Sequence, residues 1–322
     1  MEVRQSFSQV NNFLVAASVA VSCGTNLLRA GRWRTLLWPV VPTRLPEVFA
    51  ATNVGIGASF LFGGAVGEVV RPLALSLLSK HVRPAASILT IVVERVFDLC
   101  ALSVLFGLTL LWLPEITGHQ AAGPHLSELG IILLLLPTLA LCSLVLFRRR
   151  LGSTPGWVDE KLIGRHPNPG KVRRATSRYL QKLFDAFTVL SNTRELLVIT
   201  LWTACQWLSV LLTNWLILRA FGLAFGFKQA LLVMCCGLIG SLVPTPGGAA
   251  GAFHAALSGA LIFLGVTLGQ AAAVSITAHL VGFVPALPFG SYYLLHGSIN
   301  LTTLQHEMST TTDQGIERWR LS

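Results

Sequence analysis

Between Gln229 and His306 the chain runs for 78 residues without a single Asp, Glu, Lys or Arg. No ordinary water-soluble fold accommodates such a stretch, because each of its surface helices needs a polar side. A helix crossing the hydrocarbon core of a bilayer needs about 20 mostly apolar residues, and this stretch has room for several. The remainder agrees. Of 322 residues, 12% are charged and 53% hydrophobic, where a soluble domain carries about 25% charged residues. Most soluble enzymes are thereby excluded.

The basic residues are concentrated in one place. Eleven of the 24 Lys and Arg fall between Arg148 and Arg194, opposed only by Asp159, Glu160 and Asp185, so this 47-residue stretch carries +8 of the total +10. A basic loop beside apolar spans marks the cytoplasmic side of a membrane protein, so no nucleic-acid partner is expected. The six cysteines lie in apolar stretches without metal-type spacing and read as small core residues. No metal and no cofactor is expected. The apolar run from Phe13 resembles a signal peptide, but it continues to Leu28 and reads as an uncleaved first span.

Apolar runs between polar breaks predict spans at 12–28, 85–113, 126–147, 196–218 and 271–295. Two stretches, 48–79 and 229–264, are interrupted by glycine or by Pro244-Thr245-Pro246-Gly247-Gly248. With the basic loop in the cytoplasm, Lys80, Arg83 and the Arg29–Arg44 cluster also belong there. Segment 48–79 must then cross twice or not at all, and it is too short for two full helices, which need about 40 residues. A re-entrant helical hairpin satisfies both conditions. The same reasoning applies to 229–264.

The expected fold is therefore an all-α polytopic membrane protein. About six full spans and two re-entrant helical hairpins are arranged as an inverted repeat, as in many secondary transporters. One membrane domain covers 1–322. Its first repeat is 11–113, its linking span 126–147, its basic cytoplasmic loop 148–194, its second repeat 195–296 and its polar tail 297–322. Seven or eight ordinary spans kinked by glycine are the alternative. Within the loop, Lys171–Leu190 reads as an amphipathic helix suited to anionic lipid, or simply as a topology anchor.

Charges inside a span cost about 2.5–3.5 kcal/mol each, so they single out functional positions. Glu94 and Asp98 share a helix face with Arg95 beside them, and Glu68 and Arg71 follow the first hairpin break. These five charges are expected to converge on one polar cavity, or to form a structural ion-pair network. The second half offers His254 and His279 instead, and Gly247 and Gly248 precede a helical stretch whose free amides suit an anion such as phosphate. Candidate substrate-binding residues are thus Glu68, Arg71, Glu94, Arg95, Asp98, Gly247, Gly248, His254 and His279. No catalytic constellation is evident.

The combination of Arg32-Trp33, Gly67-Glu68-Val69-Val70-Arg71-Pro72, Val93-Glu94-Arg95-Val96-Phe97-Asp98 and Pro244-Thr245-Pro246-Gly247-Gly248 resembles the transmembrane, flippase-like region of the lysylphosphatidylglycerol synthetase/flippase family. The likeness covers roughly 12–296. It implies an inner-membrane lipid translocator of the kind that carries aminoacylated phosphatidylglycerol between leaflets. In that family, synthesis belongs to a cytoplasmic transferase domain using aminoacyl-tRNA. This chain runs to Ser322 without such a domain, so lysyl transfer is not expected of it.

Three departures stand out: an extra N-terminal span is missing, His254 replaces a usual Glu, and His279 replaces a usual Arg. They imply a different lipid and sensitivity to pH near neutrality. The expected function is movement of a polar-headgroup lipid between leaflets. A membrane enzyme or accessory scaffold acting on polyprenyl or glycolipid carriers is the alternative. The expected partners are a membrane lipid and anionic lipid at the loop helix, and self-association is left open.

Overall fold

The computed structural model describes residues 2–39, 41–79, 81–82, 84–117, 124–151, 193–243 and 247–295. The amphipathic segment 171–190, most of the basic loop, the polar tail and Pro244-Thr245-Pro246 lie outside the described residues. Among those described, all regular structure is helical, in eleven elements. They are α1 (Glu2–Ser8), α2 (Asn12–Leu37), α3 (Leu45–Phe62), α4 (Gly64–Leu78), α5 (Pro84–Thr117), α6 (Pro124–Leu151), α7 (Thr193–Ala220), α8 (Phe227–Ser241), α9 (Ala250–Phe263), α10 (Leu268–Phe283) and α11 (Ala286–Leu295).

Among the described residues, five segments are long and apolar enough to cross a membrane: Asn12–Leu37, Leu45–Phe62, Ser87–Ile116, Arg194–Ala220 and Leu268–Tyr293. Large apolar side chains such as Leu135, Leu136, Leu139, Leu201 and Leu208 face outward from these helices and α6. Such a surface is stable against lipid and not against water. The chain is a helical polytopic membrane protein.

Several boundaries differ from those read in the sequence. The first span, α2, does not stop at Leu28; it continues to Leu37, because no proline intervenes before Pro39. Arg29, Arg32 and Arg34 therefore belong to α2 and not to a connector, and Arg32 is fully buried. The last apolar run is divided into α10 and α11 at Pro285, which lacks the amide that a continuous helix requires. Leu45–Phe62, expected as one arm of a re-entrant hairpin, is by itself long and apolar enough to span. The linking helix α6 extends through Arg148, Arg149 and Arg150, and its described apolar part is the shorter segment His125–Leu139.

The chain divides into two compact units. One comprises Met1–Arg34, Thr43–Ile88 and Gln206–Ser322; the other comprises Thr35–Pro42 and Leu89–Cys205. In the first unit, α3 packs on α4 and α8 on α9, forming two helical hairpins, while α11 packs on α3 and α9 on α10. Its apolar core is built from Ile217, Leu218, Val233, Leu257, Leu261 and Val274 with their neighbours. Polar pegs pass between helices: Ser22 Oγ donates to the Val281 carbonyl at 2.8 Å, and Asn26 Nδ2 donates to Asn53 Oδ1 at 3.2 Å. In the second unit α5 and α6 approach at paired glycines. A Cβ on Gly107 would stand 2.7 Å from the Gly130 carbonyl oxygen.

Candidate functional site

The first hairpin turns at Gly63, whose φ of 104° and ψ of 157° suit glycine alone. Its two helices then cross with backbones in contact. A Cβ on Gly67 would overlap Ser59 Oγ and the Gly55 carbonyl, and one on Gly55 would lie 2.9 Å from Arg71 Cβ. This crossing holds the root of the Arg71 side chain against α3. The guanidinium of Arg71 lies over the Trp33 ring at 3.9 Å, a cation–π contact that joins α4 to α2. Arg71 is only 6% exposed, so its stack with Trp33 is well shielded from solvent screening. Glu68 lies three residues earlier on α4 and is half-buried.

At the open end of the same hairpin, Glu47 accepts bonds from the Arg44 amide and from the Ser79 hydroxyl. One carboxylate thus ties the start of α3 to the end of α4.

The second hairpin turns through Gly247, Gly248 and Ala249, all in left-handed backbone at φ 73°, 65° and 62°. Gly248 is required for a second reason: a Cβ there would stand 2.9 Å from Phe283 and 3.4 Å from His279. α9 then begins at Ala250 without a side-chain cap. Its first-turn amides therefore keep the partial positive charge of a helix start. His279 Nε2 donates to the Gly247 carbonyl at 3.0 Å, fastening the turn to α10. The His254 ring is 4.9 Å from that of His279, and Phe60, Phe253 and Phe283 close around the pair at 5.1–5.9 Å from His279.

The structure thus brings Gly247, Gly248, His254 and His279 into one cluster. Phe60 of α3 connects that cluster to the first hairpin, about 7.5 Å along the helix from Gly55.

In the second unit, α5 presents Glu94, Arg95 and Asp98 on neighbouring turns. Arg95 bridges the two carboxylates, at 3.4 Å from Glu94 and 3.2 Å from Asp98. Glu94 and Asp98 are buried, whereas the Arg95 side chain is 48% exposed. The three side chains form one ion-pair group on a mostly buried helix face.

The nine residues therefore fall into three groups: one pair on α4, one triad on α5 and one cluster at the second turn. Three side chains outside the candidate substrate-binding set belong beside them. Trp33 stacks on Arg71, Phe60 on His279, and Asn53 sits fully buried against Asn26. Paired asparagines in apolar helices were the available signal for the last, since each needs an interhelical partner. On α7, Asn214 donates to the Val210 carbonyl of its own helix at 3.0 Å.

Residues 1–290 match the family model described as the lysylphosphatidylglycerol synthase TM region. No curated protein and no solved structure matches the chain. Four elements of the sequence likeness occupy structural positions described above: the buried Arg32-Trp33, the Gly67–Arg71 crossing, the Arg95-bridged carboxylates and the turn at Gly247-Gly248. On the extent of that match, the chain belongs to the lysylphosphatidylglycerol synthase TM region family.

Proposed function

We propose that the protein is a lipid translocase that carries a polar-headgroup lipid between the leaflets of the inner membrane. The single observation behind this reading is the pair of broken hairpins in the first unit. Each turns on positive-φ backbone and has polar side chains close to the break, within an otherwise apolar bundle. Non-helical backbone at membrane depth is stable only where protein or a wet cavity surrounds it, and transporters use such breaks as binding sites.

In this reading 48–79 and 229–264 are re-entrant, the two halves form an inverted repeat, and the basic loop is cytoplasmic. Helix lengths favour it: α4, α8 and α9 have 15, 15 and 14 residues. At 1.5 Å per residue each reaches about 22 Å, short of the roughly 30 Å hydrocarbon core.

The roles follow from charge. Arg71 and the first-turn amides of α9 serve a lipid phosphate. Within the second unit taken by itself, Glu94 and Asp98, with Arg95 holding them in register, offer carboxylates to a cationic group. Acyl chains stay in the bilayer, so only the headgroup has to be desolvated.

The test is leaflet exchange in vesicles of phosphatidylglycerol and phosphatidylethanolamine carrying a headgroup- or chain-labelled fluorescent phosphatidylglycerol. Dithionite added outside reduces the exposed label. Wild-type protein should expose the inner-leaflet label that empty vesicles protect. Glu94→Gln and Arg95→Ala should suppress that exposure while still eluting as folded protein. Chemical conversion of the lipid without exchange would instead mark a membrane enzyme.

A further inference from the structure

The charged residues do not exhaust the ionisable chemistry of the bundle. His279 is 5% exposed, and its Nδ1 and that of His254 are buried without a hydrogen-bond partner among the described residues. Since Nε2 of His279 donates to Gly247, its Nδ1 is a bare acceptor in the neutral ring. Two such buried nitrogens lie on neighbouring rings whose centroids are 4.9 Å apart. An unsatisfied buried acceptor costs roughly 1–3 kcal/mol. One added proton turns one of these nitrogens into a donor for the other, relieving both.

We propose that His254 and His279 share a single proton and form the coupling-ion site of the protein. The proton-binding half stands on the histidine geometry alone, and the coupling half rests on the translocase reading above.

A second proton is opposed by the charge of the first across less than 5 Å of apolar surroundings. Among the described residues the imidazoles meet aromatic rings, each other and two backbone groups, the Gly247 carbonyl beside His279 and the Ser275 backbone beside His254. On the helices packed against them, the titratable groups are remote along the axis or of another kind. Glu47 on α3 is thirteen residues from Phe60, about 20 Å of helix. On α8, Lys228 stands at the opposite end from the turn, while Cys235 and Cys236 are thiols in the apolar interior. Arg4 lies exposed on α1. On α2 the basic residues begin at Arg29, about 10 Å along the helix from the Ser22–Val281 contact, and Cys23 adjoins that contact. None of these groups pairs with His254 or His279 among the described residues.

The consequence is mechanical. With the proton in place, an imidazole–imidazole bond ties α9 to α10 beside the left-handed turn that His279 already holds through Gly247. Without it, two bare nitrogens face an apolar cage and favour separation. Proton uptake from one side and release to the other would then bias the hairpin between its two arrangements.

The experiment has two readouts. First, ¹⁵N-histidine NMR of the purified full chain in detergent, titrated from about pH 5 to 9, should show both rings changing together for one proton. His254→Gln should convert the His279 response to that of a single site. Rings that titrate independently, or that bind no proton over this range, would overturn the proposal. Second, fluorescent phosphatidylglycerol exchange should follow an imposed pH gradient, by up to about tenfold per pH unit. His254→Gln should remove that dependence. Exchange that ignores the gradient in wild type overturns the coupling. A shared titration without any exchange upholds the proton site and removes the translocase.

Discussion

The two hairpins of the first unit solve one problem with different chemistry. Both fold two short helices back on each other through a turn that needs positive φ, and both bring the backbones together at small residues. In α3–α4 the crossing is Gly55 against Gly67; in α8–α9 it is Gly240 against Ala252, where a Cβ on Gly240 would stand 2.5 Å from the Ala252 carbonyl oxygen. What differs is the polar cargo. The first hairpin carries Glu47, Glu68 and Arg71, with Arg71 stacked on Trp33. The second carries no charge beyond Lys228 and relies on its own His254 and on His279 of the adjoining α10. A fixed guanidinium is always charged, whereas an imidazole can gain or lose its charge near neutrality. The comparison therefore separates a permanently charged element from a titratable one.

That comparison breaks first at the crossings. Gly67→Leu should destabilise the protein by more than about 3 kcal/mol, because its Cβ meets backbone that cannot retreat. Gly251→Ala, on the outer side of α9 with open space around it, should change stability by less than about 1 kcal/mol. Thermal unfolding of both variants in the same detergent checks the contrast. Similar melting temperatures would mean that the helices do not cross at Gly55 and Gly67.

The turns give a finer test. Gly63→Ala forces a side chain into backbone reserved for glycine and should cost about 1–3 kcal/mol. At the other turn the non-glycine is already present. Ala249 bears a left-handed penalty of about 1–2 kcal/mol, so Ala249→Gly should stabilise, less the roughly 0.5–1 kcal/mol of entropy that glycine loses. A net gain of about 0.5 kcal/mol is expected, seen as a small rise in melting temperature. A fall would contradict the geometry of the second turn.

How much of this was legible beforehand follows from the residue types. The broken helices announced themselves through Gly63 and Gly247-Gly248, because backbone that needs positive φ selects glycine strongly enough to show in one sequence. The triad on α5 was equally visible, since three ionisable groups within five positions of an apolar helix have no cheap explanation. The end of α2 was not visible. Arg29, Arg32 and Arg34 look like a loop when read by charge, yet a helix proceeds until something breaks it, and Arg32 finds room in the interior. Pro285 was passed over inside a long apolar run for the converse reason, as hydropathy outweighed the missing amide. Trp33 was marked only as part of a motif and not as the partner of Arg71, and Phe60 gave no signal at all, because an aromatic in a membrane helix is ordinary until its neighbour is known.

The most direct test places the two hairpins side by side in the exchange assay. Rates of fluorescent phosphatidylglycerol exchange should be measured for wild type, Arg71→Gln and His279→Gln, each first shown to unfold within a few degrees of wild type. If broken, polar-lined hairpins carry the headgroup, both variants lose at least about tenfold in rate, a loss of about 1.4 kcal/mol or more. Exchange at the wild-type rate in both folded variants would mean that neither hairpin handles lipid.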